Sequence, residues 1–320
     1  MARFLVNGRQ VEAERGKLID FLRGTLRLTS VKNACGSGAC GACTVLIDGQ
    51  KRRACVTDVS KLEGKQVLTV EGLTDRERAV YAHAFAAAGA VQCGFCIPGM
   101  VISAKALLDA NLSPNRADVK AAIRGNICRC TGYQKIEDAI LLAADFFREN
   151  RPVEAPGAFG LLGDDLPRVD AAAKTLGEGL FADDVVLPDM LYAKALRSKY
   201  PRARVVKIDL TRALNHPDCA RILTAKDVPF NKTGHLVPDW DVMIAEGDIT
   251  RYVGDAIVLA ASENRDALDE ILELVDVEYE VLTPLLTPEE ALREGAPLLH
   301  EKGNLLFKQE VRRGDAEGAI

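Results

Sequence analysis

The chain has 320 residues, of which 48% are hydrophobic and 27% charged, and its net charge at pH 7 is −5. This length suits about two or three domains, and the slight acidity argues against a nucleic-acid or anionic-membrane surface. The N-terminus lacks the apolar segment of a signal peptide, and no apolar run approaches the length of a membrane span. Eight of the nine cysteines precede residue 131 and cluster like metal ligands rather than disulfides. We therefore expect a cytoplasmic protein that uses metal chemistry.

The first 75 residues predict a small β-rich domain. Asn7-Gly8 and Asp48-Gly49 are hairpin signals, because both residue pairs tolerate the positive φ angles of tight turns. A short helical stretch covers Leu18–Arg23. The predicted strands are Arg3–Val6, Gln10–Ala13, Thr44–Ile47 with the segment that returns to Cys55, and Val67–Val70. Strands alternating with one helix and a ligand loop indicate a β-grasp, ferredoxin-like domain.

Four cysteines of this domain carry the chemistry. Cys35, Cys40, Cys43 and Cys55 are separated by four, two and eleven residues, which matches the plant-type [2Fe–2S] spacing. The intervening glycines suit a loop whose backbone N–H groups approach the cluster sulfurs. A cluster of free thiols and a zinc site are the alternatives. Zinc sites usually pair two short cysteine knuckles, whereas three of these cysteines share one loop, so the spacing favours a [2Fe–2S] cluster.

Residues 76–150 change to an alanine-rich, helically periodic sequence. The predicted helices are Ala79–Ala90, Gly99–Ala110, Ala117–Ile123 and Ile136–Phe147. Ser113-Pro114 resembles a helix N-cap followed by proline at the first helical position. Four helices of this length indicate a compact bundle.

A second cysteine set falls at the helix starts of this domain. Cys93 and Cys96 form a C-x2-C pair, and Cys128 and Cys130 form a C-x-C pair. A helix N-terminus lowers the pKa of a thiol and stabilises a net-negative cluster. A thioredoxin-type redox motif is the alternative for the first pair alone. Together with the second pair and the plant-type set, the first pair predicts a second [2Fe–2S] centre.

Residues 151–167 predict a Pro- and Gly-bearing linker, and residues 168–320 predict a mixed α/β domain. The expected strands are Leu191–Leu196, Val205–Ile208, Ala220–Leu223, Ala256–Ala260 and Val275–Glu280, with one helix over Asn264–Leu274. The ninth cysteine, Cys219, is expected to be an inert thiol. Apolar residues in Leu305–Val311 and the lack of a terminating signal before residue 320 suggest an interrupted domain that another polypeptide completes.

Three motifs make the first 150 residues resemble the molybdenum hydroxylase family of xanthine dehydrogenases and aldehyde oxidoreductases. They are C-G-S-G-A-C-G-A-C at Cys35–Cys43, Q-C-G-F-C-I-P-G at Gln92–Gly99, and R-G-N-I-C-R-C-T-G-Y at Arg124–Tyr133. Residues 168–310 resemble the family's a/b hammerhead, the first part of its molybdenum-binding region. That similarity is carried by Pro167-Arg168-Val169-Asp170, Ala195-Leu196-Arg197-Ser198 and Arg251-Tyr252-Val253-Gly254-Asp255. The last third is most similar to selenium-dependent xanthine dehydrogenases.

The resemblance implies an oxidoreductase subunit that works during hydroxylation of a purine-type N-heterocycle. It implies molybdopterin, in a dinucleotide form shared with a molybdenum-binding partner chain, and a hetero-oligomer with FAD, where used, on another subunit. By the same resemblance Gln92 approaches the molybdenum cofactor, and Cys130 lies beside the pterin. The alternative for Gln92 is a satisfied amide at a helix entry.

In the implied relay, the cluster of the helical domain is nearer the pterin and the plant-type cluster is nearer the outer acceptor. The family's catalytic glutamate lies beyond the hammerhead, so we assign no catalytic residue in this chain. Two alternatives stay open at this point. One is an aldehyde oxidoreductase of the same family, and the other is a stand-alone two-cluster electron carrier.

Overall fold

The structure is a computed structural model that describes residues 1–153, 162–163, 166–235, 237–315 and 317–319. Most of the predicted linker over residues 151–167 therefore lies outside the described residues. The chain divides into two compact units, Met1–Val185 and Val186–Ile320. Residues 168–185, predicted as the beginning of the α/β domain, belong to the first unit. The domain boundaries drawn from the sequence stay predictions.

The first unit begins with a five-stranded sheet in the order β2-β1-β5-β3-β4. Its strands are β1 (Ala2–Val6), β2 (Arg9–Ala13), β3 (Thr44–Ile47), β4 (Gln50–Arg53) and β5 (Gln66–Leu68). β1 and β5 are parallel, and the other neighbours are antiparallel. Both predicted hairpins are confirmed, and Asn7 and Gly8 take φ angles of 51° and 78° in the first turn. Val70 was predicted in the last strand, but it lies in a 3₁₀ turn after β5.

A short helical segment crosses this sheet before the cysteine loop. Helix α1 (Leu18–Asp20) continues into a π-helical turn over Phe21–Thr25. Leu18, Ile19 and Leu22 are fully buried, and they pack with Phe4 and Val45 of the sheet. The predicted combination of alternating strands with one helix is therefore present.

Four helices follow, as predicted. They are α2 (Asp75–Ala87), α3 (Ile97–Ala110), α4 (Arg116–Ile123) and α5 (Gln134–Arg148). The predicted N-cap of α4 at Ser113-Pro114 is wrong. Asn115 caps the helix instead, because its side-chain oxygen accepts from the N–H groups of Ala117 and Asp118.

The first unit ends in a segment that packs against its two cysteine-bearing parts. Helix α6 (Ala171–Thr175) contacts α2 and α3. Beyond it, Asp184 pairs with Arg23 and with the buried Lys32. The ring of Phe181 meets Phe95 edge-on with centroids 5.1 Å apart. These contacts explain why residues up to Val185 belong with the first unit.

The second unit is built from short sheets and helices. Its strands are β6 (Tyr192–Arg197), β7 (Ala203–Asp209), β8 (Arg221–Leu223), β9 (Lys232–Thr233), β10 (Trp240–Asp241), β11 (Ala256–Ser262) and β12 (Asp276–Val281). Its helices are α7 (Thr211–Leu214), α8 (Ala267–Glu273) and α9 (Pro288–Leu292). The sheets are β6-β11-β8, β12-β7 and β10-β9. All five predicted strands are confirmed, with ends that differ by at most two residues.

The helix predicted over Asn264–Leu274 is shorter than expected. The side-chain oxygen of Asn264 accepts from the Asp266 N–H, which closes a turn before α8 begins. Ile271 and Leu268 of α8 pack on Ile257 and Val258 of β11 to form the core of this unit. The multidomain fold class is thus confirmed. In the described part of the chain, no helix combines the length and hydrophobicity that a membrane crossing requires.

Candidate metal centres

Glycines shape the loop that carries the first three cysteines. Gly36, Gly38 and Gly41 adopt φ angles of 64°, 83° and 75°, a region that side-chain-bearing residues avoid. A Cβ on Gly41 would lie 2.3 Å from the Gly125 carbonyl oxygen. Gly41 therefore has two roles, since it bends the loop and lets the chain before the second cysteine set approach.

The plant-type site, defined as Cys35, Cys40, Cys43 and Cys55, has a buried side and a side open to solvent. Cys43 and Cys55 are buried, whereas Cys35 is exposed. The Cys40 backbone N–H donates to the Cys35 sulfur at 3.4 Å and, with groups of Ser37, lowers the pKa of the Cys35 thiol to about 5. Burial raises the pKa of Cys43 to about 11, and Cys55 contacts it. The structure thus brings these thiols together in adjoining pairs.

The helical-domain site, defined as Cys93, Cys96, Cys128 and Cys130, also consists of pairs. The sulfurs of Cys93 and Cys130 lie 3.7 Å apart, and Cys96 contacts Cys128. The hydroxyl of Tyr133 accepts from the Cys128 backbone N–H at 2.9 Å, which fixes the loop. Residues that are more than thirty positions apart in the sequence therefore form one site.

The expectation that helix N-termini lower the pKa of these thiols is wrong for Cys96. Cys96 is the N-cap of α3, yet burial, followed by the neighbouring Cys128, raises its pKa well above the ordinary value. Burial also acts on Cys128. Burial is the largest single influence there, but hydrogen bonds with the Thr131 hydroxyl at 3.2 Å, with the Thr131 and Cys130 N–H groups and with Cys96 together outweigh it, and the pKa of Cys128 is lowered.

Both sets of residues fit a two-iron cluster. All nine cysteines are free thiols, and each site consists of two pairs of neighbouring thiols, although among the described residues no three metal-binding side chains lie close enough together to hold a single ion. Two irons that share sulfide bridges take two thiolates each. Burial makes thiolates of Cys43 and Cys96 costly, and a coordinating cation removes this cost because it displaces the proton. The assignment of these eight cysteines as ligands stays a prediction.

A buried amide joins the two sites, and sequence reasoning missed it. Asn126 is 2% exposed, and its side-chain nitrogen donates to the Gly41 carbonyl at 3.0 Å and to the Thr44 hydroxyl at 3.2 Å. Its side-chain oxygen accepts from the Ser103 hydroxyl at 2.8 Å. The loop next to Cys128 is thereby fixed to the plant-type loop and to α3. The signal that could have found it was its place within the motif at Arg124–Tyr133, two residues before Cys128.

The two predicted pterin contacts lie at the exposed side of the helical-domain site. Gln92 and Cys130 are both exposed. Gln92 lies five positions before the first residue of α3, so it does not cap that helix. Among the described residues its amide has no hydrogen-bond partner. The proposed role of both residues stays a prediction.

Comparison with known proteins assigns the two cysteine-bearing parts. A model described as "2Fe-2S iron-sulfur cluster binding domain" matches residues 18–79, and one described as "[2Fe-2S] binding domain" matches residues 69–141. A third, "Aldehyde oxidase and xanthine dehydrogenase, a/b hammerhead domain", matches residues 176–283. The chain is therefore an iron–sulfur protein with two [2Fe–2S]-binding domains and a hammerhead domain.

Individual relatives agree with these models. The chain is 33% identical to an aldehyde oxidoreductase of Megalodesulfovibrio gigas over 97% of its own length and 36% of that protein's. It is 42% identical to a probable xanthine dehydrogenase subunit of Bacillus subtilis, over 41% of this chain and 78% of that subunit. The solved aldehyde oxidoreductase of Desulfovibrio desulfuricans superimposes with a TM-score of 0.84 at 33% identity, over 95% of this chain and 36% of the other.

The chain belongs to the molybdenum hydroxylase family. It spans about a third of the length of the aldehyde oxidoreductases that it matches. The Bacillus relative is, by its name, one subunit of a larger enzyme.

Proposed function

We propose that the chain is the iron–sulfur and N-terminal molybdenum-region part of a molybdenum hydroxylase, and that it relays electrons during hydroxylation of a purine-type N-heterocycle. The observation that carries the proposal is the junction of two paired-thiol sites within one compact unit. The Ile127 N–H donates to the Cys40 carbonyl at 2.8 Å, so residues next to a thiol of each site are in contact. Such contact suits one-electron transfer between two clusters.

Each site has a proposed neighbour. Gln92 and Cys130, exposed at the helical-domain site, would face a molybdopterin dinucleotide held mainly by a molybdenum-binding chain or region. When bound, that cofactor supplies the hydroxylation chemistry at an electron-poor carbon. Cys35, exposed at the plant-type site, would face the outer acceptor, such as an FAD-bearing subunit. The chain's own contribution is to hold both clusters close together and to position the pterin.

The hammerhead domain supports an enzyme over a free electron carrier. A protein that only carried electrons would have no use for residues 176–283, which match a domain of aldehyde oxidases and xanthine dehydrogenases. Apolar side chains also stay exposed in this unit, among them Phe230 at 87% and Phe307 at 73%. Exposed apolar surface of this kind is a common mark of protein–protein contact. We propose that a molybdenum-binding polypeptide covers it in a hetero-oligomer.

An aldehyde is the second candidate substrate. The specific observation in its favour is that an aldehyde oxidoreductase matches 97% of this chain, both units included.

Xanthine or hypoxanthine and an aromatic aldehyde should be supplied in parallel to the natively purified enzyme. Faster bleaching of the iron–sulfur absorbance by the purine supports the first substrate class, and faster bleaching by the aldehyde supports the second. Molybdenum and selenium counts on the same material test the cofactor and the predicted selenium-dependent branch.

The relay order is tested by Cys43→Ser. This variant should lose the plant-type signal in electron paramagnetic resonance (EPR) spectra and should slow acceptor reduction, while substrate still reduces the helical-domain cluster. Cys219→Ser is the matched control, because Cys219 belongs to neither site, and it should retain both signals. If Cys43→Ser reduced the acceptor at the wild-type rate, the plant-type cluster would not lie between the helical-domain cluster and the acceptor, and the proposed order would be wrong.

A further inference from the structure

Arg53 connects the two metal centres. It is the last residue of β4 and lies two positions before Cys55. One guanidinium nitrogen donates to the Gly125 carbonyl at 2.6 Å, in the loop that leads to Cys128. The other donates to the hydroxyl of Thr44, which follows Cys43. The guanidinium therefore bridges segments that carry thiols of both sites.

The basic side chains of this region form no ion pair among the described residues, and the acidic residues nearest to them in the sequence, Asp48, Asp58 and Asp118, bind Lys65, Ser60 and Asn115 instead. Arg53, Lys51 and Arg52 all donate to uncharged oxygens, and among the described residues none of the three forms an ion pair. Within residues 49–57 and 119–133 the sequence has no Asp or Glu. The basic residues of these stretches are Lys51, Arg52, Arg53, Lys120, Arg124 and Arg129. The chain as a whole has a net charge of −5, so this local excess of positive side chains suggests that an anionic group binds nearby.

Helix capping explains only part of the arrangement. The last carbonyls of a helix lack partners within the helix and attract cations. Lys51 donates to the Ala122 carbonyl at 2.6 Å in this way, near the end of α4. Arg53 differs because its second contact is to Thr44, whose hydroxyl donates to the Gly41 carbonyl at 2.6 Å in the plant-type loop. A cap for α4 does not require that contact.

We propose that Arg53 raises the reduction potentials of both clusters by placing an unpaired cation between them. The inference rests on the proposed function, since it requires that both sites hold [2Fe–2S] clusters. Each reduction transfers one electron to one iron, with no bond made or broken, and makes a net-negative centre more negative. A fixed positive charge favours the reduced form. Because Arg53 contacts segments of both sites, both potentials move in the same direction.

The test is an EPR-monitored redox titration of the full chain carrying its clusters. Arg53→Met removes the charge and should shift the midpoints of both signals to lower potential. Arg53→Lys keeps the charge and should stay near wild type. Arg52→Met is the matched control, because the one side-chain hydrogen bond that Arg52 makes among the described residues goes to the neighbouring Lys51 carbonyl at 3.0 Å, and it should shift either midpoint much less. If Arg53→Met fails to retain iron, Arg53→Gln replaces it, since its amide can still donate to Gly125.

Two results of this titration would overturn the inference, and a third would contradict the proposed function. Unchanged midpoints in a fully loaded Arg53→Met or Arg53→Gln variant would overturn the inference. Arg53→Lys midpoints lowered as far as those of Arg53→Met would also overturn it, because hydrogen-bond geometry rather than charge would then set the potentials. A missing cluster signal in the wild-type chain would instead contradict the proposed function.

Discussion

The backbone N–H of Ile127 donates a hydrogen bond to the backbone carbonyl of Cys40 at 2.8 Å. Cys40 belongs to the plant-type site, and Ile127 precedes Cys128 of the helical-domain site. The hydrogen bond thus connects two cysteine loops that are far apart in the sequence. The side chain of Asn126, the residue before Ile127, donates two further hydrogen bonds to the plant-type loop. The relative position of the two candidate centres therefore depends on a few backbone and amide contacts.

Ile127→Pro removes this backbone donor and should weaken the magnetic coupling between the two reduced clusters. Proline lacks the N–H group and restricts φ, so the two loops would separate. Ile127→Ala is the control, because it removes a side chain that is 57% exposed but keeps the donor. Low-temperature EPR of the dithionite-reduced chain measures the coupling. Equal coupling in the proline and alanine variants would show that the hydrogen bond does not set the separation.

Gly99→Ala tests the close approach of α3 to the plant-type loop. A Cβ on Gly99 would lie 2.5 Å from the Gly41 carbonyl oxygen and 3.0 Å from that of Ala42. Overpacking of this kind costs roughly 1–3 kcal/mol, which exceeds the gain of about 1 kcal/mol from alanine within a helix. We expect a lower thermal unfolding midpoint by circular dichroism. Gly24→Ala is the control, since a Cβ there meets no atom within 4 Å, and a midpoint as low as that of Gly99→Ala would contradict the explanation.

The buried pair of Lys32 and Asp184 should stabilise the first unit. Their side chains are 1% and 3% exposed and lie 3.5 Å apart. Burial lowers the pKa of Lys32, so its cation depends on Asp184 for compensation. Asp184→Asn should cost about 3 kcal/mol, and adding Lys32→Met should recover only part of that loss, because Arg23 also pairs with Asp184 at 2.6 Å. Denaturant unfolding followed by circular dichroism measures both.

A surface pair in the same unit provides the comparison for this prediction. Asp145 pairs with Arg148 at 2.5 Å, but both side chains are 41% exposed. Solvent screening leaves such an exposed pair with little effect on stability. If Asp184→Asn changed stability no more than Asp145→Asn does, the buried pair would have no special role.

Asp241 gives the second unit a pH-dependent contribution to its stability. Its side chain is 4% exposed and lies 2.6 Å from Lys232, and it also pairs with Arg251. Burial acts to raise the pKa of Asp241, but the two cations outweigh it and lower the pKa. A folded-state pKa below the unfolded value of about 3.9 stabilises the fold above that pH. The contribution is lost as the pH falls through the folded-state pKa.

Asp241→Asn should therefore destabilise the second unit at pH 7 by about 3 kcal/mol, and the difference from wild type should shrink below about pH 4. Urea unfolding is followed by the fluorescence of Trp240, which is the chain's one tryptophan and the neighbour of Asp241. Asp276→Asn changes an exposed carboxylate of the same unit and should have little effect at either pH. A difference that stays constant with pH would exclude ionisation of Asp241 as its cause.

The sequence was most informative where chemistry fixes residue spacing. A two-iron cluster needs four thiols within reach, so the spacing of the two cysteine sets, which begin at Cys35 and Cys93, indicated metal centres. Hairpins were predictable because Asn7-Gly8 adopts a turn that few other residue pairs allow. Helix ends were harder to predict. Asn115 rather than Ser113 caps α4, and only local hydrogen bonds decide which of two nearby polar residues becomes the N-cap.

Contacts between distant segments could not be predicted from the sequence. Arg53 and Gly125 are 72 positions apart, and their contact depends on how a sheet and a helical bundle pack together. The pKa of Cys96 was misjudged for the same reason. Its position at a helix start was visible in the sequence, but the burial that dominates its pKa arises from tertiary packing.

The presence of two clusters is tested most directly by an iron count with quantified EPR on the anaerobically purified, dithionite-reduced chain. Two [2Fe–2S] clusters require about four irons per chain and should give two distinguishable signals of one unpaired electron each. About two irons with a single signal would contradict this prediction, because one of the two cysteine sets would then hold no cluster.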